Sequence, residues 1–207
     1  MLRFLIPFLA ALLPLGAAAQ AQETPDAMVK RIADELIAIV KSDKEVQAGN
    51  SAKVVQLAEQ KVLPHFDFAR MTRLAVGRNW SQATPEQREA LTKEFRTLLV
   101  RTYSSALSQY RNQKIEVRPL AISPGDVDVV VRTSVMQEGG PPIPIDYRME
   151  KKPDGWKVYD VVIDGASLVT TYRSSFNDQI QRSGIDGLVK TLQERNGSPQ
   201  PGKAAAK

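Results

Sequence analysis

The chain has no cysteine and one histidine, His65, in 207 residues. Disulfides and thiolate metal sites are excluded together. A lone imidazole with no carboxylate cluster beside it cannot hold a metal either. His65 follows Pro64 between two expected helices, where a cap or surface role is expected rather than catalysis. Lysine–arginine blocks of the kind that track a phosphate backbone are also missing, so nucleic acid is not an expected partner. The formal net charge of +5 overstates the basicity of the folded part. Setting aside Arg3 leaves +4, and setting aside Lys203 and Lys207 leaves +2. No apolar run reaches the roughly 20 residues of a spanning helix. The longest is FLIPFLAALLPLG at 4–16, after a short positive start and before Ala17–Ala18–Ala19 and Ala19–Gln20–Ala21. That is the pattern of a secretory signal peptide over residues 1–21, cleaved near Ala19 or Ala21, and an uncleaved anchor is the alternative. No cysteine follows the small residues, so a lipoprotein anchor is excluded. The expectation is an exported, soluble chain.

What is present is apolar surface at helical spacing. Thr24–Pro25–Asp26 opens a helix over about 26–41, with Val29, Ile32, Leu36, Ile39 and Val40 on one side. After a polar break, Ser51 is placed to cap a second helix ending at Pro64. Asp67 is placed to cap a short third one, with Phe68, Met71, Leu74 and Ala75 inward and Gly77 at its end. Thr84–Pro85–Glu86–Gln87 is a capping box with proline at the first helical position. It starts a helix running to about residue 111, about 40 Å at 1.5 Å per residue. Leu91, Phe95, Leu98, Leu99, Tyr103, Ala106, Leu107 and Tyr110 form its stripe.

The period then changes to 2. Strands are expected over 114–120, 126–136, 143–150 and 156–163, with Val127, Val129, Val131 and Val135 on one face of the second. Ile143, Ile145, Tyr147 and Met149 share a face of the third. Leu168, Tyr172, Phe176 and Ile180 then step along a helix broken at Ser183–Gly184. A last helix over Ile185, Leu188, Val189 and Leu192 ends near residue 195. Helices, then strands, then helices indicate an α+β fold: a curved antiparallel sheet of about four strands, packed on one face by several helices. NGSPQPGKAAAK, from Asn196, is expected to be a disordered tail (196–207), leaving 26–195 as one domain.

HFDFARMTRLAVGRNW at 65–80, ATPEQR at 83–88 and the FRTLLVRTYSSAL helix resemble the MlaC-like, or toluene-tolerance, family. IDYRM, WKVYDVVIDGASLV, TYRSSF and SGIDGLVKTL continue the match in order, over about residues 28–195. The resemblance implies an NTF2-like or MlaC-like sheet and helices enclosing a deep apolar pocket. It implies a periplasmic phospholipid carrier, a monomer and not an enzyme, that maintains outer-membrane lipid asymmetry. Its implied partners, met transiently, are an inner-membrane ABC transporter with a hexameric lipid-binding ring and an outer-membrane lipoprotein–porin complex. Phospholipid is then the carried ligand, with no cofactor.

The physical demand on such a carrier is simple. Two acyl chains carry on the order of 30 CH₂ groups, and exposing them to water costs roughly 25 kcal/mol at ~0.8 kcal/mol each. Apolar lining offsets that cost, and no reactive group is needed. The candidates before the sheet are Phe68, Met71, Leu74, Phe95, Leu98, Leu99 and Tyr103. The sheet offers Val129, Val131, Ile145, Tyr147 and Met149, and the helix after it Leu168, Tyr172 and Phe176. The same residues would also serve as an ordinary filled core, since pattern alone does not distinguish hollow from solid. Arg101, Arg111, Arg118, Arg132, Arg148 and Arg173 are candidates to meet a phosphate head group. Gly165, Gly184 and Gly187 are capping glycines or hinges. Asp160 and Asp164 stand ~13 Å apart along a strand, too far to cooperate in acid–base work. Two further readings stay open: an enzyme with a carboxylate in an apolar pocket, and a chaperone-like binder of apolar segments.

Overall fold

Pro25 sits at the first turn of α1 (Pro25–Ser42), where its missing N–H costs nothing. The computed structural model describes residues 23–108, 113–137 and 139–198. The leader, the end of the tail and Tyr110 lie outside these, as do the side chains of Ala106 and Leu107. The supposed polar break holds one further turn, α2 (Lys44–Gln47), because Asp43 accepts from the Glu45 and Val46 amides. Asn50, not Ser51, caps α3 (Ser51–Lys61), accepting from the Lys53 amide. Both have cap chemistry, and the register is settled one residue earlier than expected.

Asp67 caps α4 (Phe68–Val76) through the Arg70 amide, and Gly77 ends it at φ +63°. The capping box of α5 (Pro85–Ser108) is formed. The Thr84 amide donates to Gln87 Oε1 at 3.0 Å, and the Gln87 amide to Thr84 Oγ1 at 3.2 Å. After the strands, α6 (Leu168–Gly197) packs on α5, starting on a Ser167 cap. It kinks at Gly184, whose φ of 70° and ψ of −177° belong to a region essentially reserved for glycine.

The sheet is antiparallel in the order β1 (Lys114–Val117), β2 (Asp128–Met136), β3 (Ile143–Lys152), β4 (Gly155–Ile163), β5 (Ala166–Ser167). The fifth strand, only two residues long, is the addition to the expected four. Register puts Val131 opposite Tyr147 and Tyr147 opposite Val161, so the apolar positions share one face. A bulge between Arg148 and Met149 in the β3–β4 register turns β4 so that Val158 and Val161 both face inward. Val127 is an exception to the expected face: it precedes β2 and is 60% exposed.

Three apolar clusters result. One lies among α4, α5 and α6 and is built on Met71, Leu91, Phe95, Phe176, Leu188 and Leu192. Phe95 meets Tyr172 and Phe176 edge-on at 5.0 and 5.1 Å, contacts worth about 0.5–1.5 kcal/mol each beyond their buried area. The second joins the first half of α1 to the sheet through Met28, Val29, Val131, Met149 and Trp156. The third packs the second half of α1 on α2 and α3.

The helical layer meets the sheet mainly along β4. There the Asp67 amide donates to the Val158 carbonyl at 2.8 Å, and Phe66 belongs to both large clusters. Arg70 reaches across the outer face to Asp128 at 3.0 Å and Glu150 at 2.9 Å. Its guanidinium stacks on the Tyr159 ring at 3.5 Å. The Tyr159 hydroxyl donates to Asp128, and that carboxylate, after burial itself, raises its pKa to about 12.

Two stability outcomes follow. Gly184→Ala should cost about 1–3 kcal/mol, read as a lower urea midpoint at unchanged slope. Arg70→Lys should not restore the wild-type midpoint, because a point charge cannot stack on Tyr159 while bridging two carboxylates. A lysine variant as stable as the wild type would remove the stacking argument.

Candidate functional site

Of the fifteen candidate lining residues, fourteen fall into two clusters that share Phe66. Phe68, Met71, Leu74, Phe95, Leu98, Leu99, Tyr172 and Phe176 belong to the helical cluster. Val129, Val131, Ile145, Tyr147, Met149 and Leu168 belong to the sheet cluster. Tyr103 belongs to neither and is 37% exposed, its hydroxyl bonded to Tyr172. Burial, first, and then Tyr172 push its pKa up.

Packing quality separates these residues further. Met71, Phe95, Val131, Met149 and Phe176 are almost wholly enclosed, as a filled core requires. Val129, Ile145, Tyr147 and Leu168 are only half-buried, although they point to the same inner face. Ile163 and Val117, on neighbouring strands, behave alike. Tyr147 is the informative case. Burial drives its hydroxyl above its ordinary pKa, with a partly opposing bond from Thr133. Yet the side chain still has surface that a water-sized sphere can touch. Tyr147 is thus less completely enclosed than Val131 and Met149. The inner face is therefore tight at its centre, where α1 covers Val131 and Met149, and looser around it.

Charged groups lie on the other face. Arg148 approaches Asp160 at 3.7 Å, and Asp146 stands opposite Arg132 in register. Asp160 is the buried carboxylate, 2% exposed. Its oxygens accept from Ser167 Oγ at 2.7 Å and from the Val169 amide at 3.2 Å, tying β4 to the start of α6. With both oxygens so engaged, it is built as a cap and not as a free base. His65 is half-buried, and burial, then Arg31 and Lys157, lower its pKa. Among the described residues there is no group of His, Cys, Asp or Glu able to hold a metal, and no helix long and apolar enough to cross a membrane.

Of the six arginines named as head-group candidates, Arg148 pairs with Asp160 and Arg101 donates to the Ser198 carbonyl at 2.6 Å. Arg111 lies outside the described residues. Arg173 lines a groove on the helical layer with Arg73 and Arg78, two residues that sequence periodicity did not single out for this role. A second groove, lined by Ala69, Trp80, Thr92 and Arg96, has Arg88 over the Trp80 ring at 5.5 Å.

The graded packing predicts different outcomes for two neighbours in register. Val131→Asp buries an unpaired charge in a filled site and should destabilise the fold by several kcal/mol. Tyr147→Asp changes a side chain that keeps some accessible surface and should cost clearly less. Thermal melting of the two variants side by side checks this, and equal collapse of both would mean that the difference in enclosure has no consequence.

The comparisons agree with this architecture. Over 205 residues, covering 99% of this chain and 93% of the relative, the sequence is 31% identical to the toluene tolerance protein ttg2D of Pseudomonas putida. It is 24% identical over 182 residues to the intermembrane phospholipid transport system binding protein MlaC of Haemophilus influenzae, covering 86% and 85% of the two chains. The fold is similar, with a TM-score of 0.77 and 46% identity, to the phospholipid-binding protein of Ralstonia solanacearum solved in complex with a phospholipid. That match covers 85% of this chain and 97% of the other. Residues 30–194 match the MlaC protein family, and the chain belongs to it.

Proposed function

We propose that this chain is a soluble phospholipid carrier of the periplasm, exported by residues 1–21. Residues 26–195 form the carrier domain. Acyl chains lie between the inner face of the sheet and the α4–α6 cluster. The half-buried Val129, Ile145, Tyr147 and Leu168 touch the ligand, and the enclosed residues support the wall behind them. The observation that carries this reading is the accessible apolar inner face, in a chain 46% identical to a protein solved with phospholipid bound.

The chemistry asked of the site is solvation. At ~0.8 kcal/mol per buried CH₂, a partial wrap of 20 groups is worth about 16 kcal/mol, with no reacting group involved. Asp160, tied up as a cap, supports binding without catalysis. The carried phospholipid is the ligand, and no cofactor enters. The chain exchanges lipid as a monomer between an outer-membrane lipoprotein–porin complex and an inner-membrane ABC transporter with its hexameric ring, in the service of outer-membrane lipid asymmetry.

The test is to purify the secreted protein and record native mass spectra and organic extracts. Phospholipid should appear at about one molecule per chain, and Tyr147→Asp should reduce it while the protein stays folded. Repeatedly empty, folded protein that also takes no lipid from vesicles would end the carrier reading.

A further inference from the structure

Arg73, Arg78 and Arg173 line one open groove of about 530 Å³ where the C-terminal end of α4 meets α6, together with Leu74, Gly77 and Asn177. Among the described residues, none of the three has a carboxylate within ion-pair distance. Arg31, Arg70, Arg96 and Arg148 all do. Three unpaired guanidinium groups around one concavity repel one another, and an anion seated between them relieves that repulsion.

The groove is also partly preorganised. Arg173 donates through Nε to the Leu74 carbonyl at 2.9 Å, in the last turn of α4. This fixes the guanidinium and occupies a carbonyl that would otherwise repel an anion, leaving both terminal nitrogens of Arg173 for a ligand. Asn177 accepts from Asn79 Nδ2 at 2.8 Å, which points its own amide nitrogen away from that bond as a further donor. Paired N–H donors on planar guanidinium groups match the oxygens of a phosphoryl group.

We propose that this groove is a binding site for a phosphoryl oxyanion, supplied either as the phosphodiester of a lipid head group or as free inorganic phosphate. The proposal rests on the α4–α6 surface and not on the apolar inner face, so it stands or falls separately from the carrier reading.

The experiment titrates the purified secreted protein, by calorimetry at constant ionic strength in chloride, with inorganic phosphate and separately with glycerophosphoglycerol, a tail-free phosphodiester. Saturable binding at one site is expected for at least one of them. It should weaken about tenfold or more in Arg73→Gln/Arg78→Gln and stay unchanged in Lys190→Gln. Binding of the diester alone assigns the site to a lipid head group. Equal or tighter binding of inorganic phosphate assigns it to the free ion. Arg173→Gln should behave like the double variant. If losing its bond to Leu74 unfolds the chain, the double variant decides, because it alters only exposed side chains. No saturable binding of either probe, or undiminished binding in the double variant, overturns the proposal.

Discussion

The helical layer is fastened to the sheet along one edge, and the rest of the architecture depends on that seam. The Asp67 amide continues the hydrogen bonding of β4 through the Val158 carbonyl, while the Asp67 side chain starts α4. One residue thus ends an extended segment, pairs with the sheet and nucleates a helix. Lys152 adds an ion pair to Asp67 at 3.3 Å, and three positions later Arg70 ties the same helix to β2 and β3. An exposed ion pair is worth about 0–1 kcal/mol. Arg70 is more enclosed, stacks on an aromatic ring and meets two carboxylates, so its contribution exceeds that of an ordinary surface pair. Away from this seam, α1 packs on the centre of the inner face, and the apolar side chains around it are less completely enclosed.

That arrangement has an energetic consequence. Fully burying a large aliphatic side chain is worth about 1.5–3 kcal/mol, and a half-buried one forfeits part of this. The inner-face flanks therefore hold unrealised hydrophobic stabilisation. In the proposed carrier a lipid supplies it, and whatever binds only the folded state raises its stability by mass action. The fold can tolerate the deficit because the α4–α6 cluster and the centre of the α1–sheet cluster are fully buried.

Much of this was legible in the sequence because local chemistry and global packing agree. The capping box at Thr84 and Gln87, the Asp67 cap, Gly77 and the period change after α5 each have one good structural solution. The misses have physical causes too. Asn50 and Ser51 are both competent caps, and spacing does not choose between them. Asp43 hides a single helical turn in a stretch that is polar by composition. Val127 keeps the alternation of β2 in sequence and its carbonyl accepts from the Lys151 amide, but its side chain lies at the strand's exposed end. The lining was legible only as a set of residues. Val131 and Tyr147 are opposite each other in register and equally apolar in pattern. What separates them is how completely each is enclosed in the folded chain, a tertiary fact with no local signature. The arginine groove was still less legible: Arg173 is 95 or more positions from Arg78 and Arg73, and only folding brings the three together.

The distribution of charge divides the molecule into surfaces with different work to do. On the outer face of the sheet, acids and bases are matched: Arg70 with Asp128 and Glu150, Lys152 with Asp67 and Glu150, Arg148 with Asp160. Matched charges hold elements in register but leave little field for a ligand. The inner face is apolar, and in the proposed carrier it would hold acyl chains without discriminating among them. Among the described residues, the groove at the end of α4 gathers three arginines without carboxylate partners in a concave site. If hydrophobic burial supplies most of the affinity for a lipid, selectivity for an anionic group must come from elsewhere on the surface. Two independent terms, one scaling with apolar area and one falling with salt, would let the same chain bind fatty chains strongly while sensing phosphate weakly and reversibly.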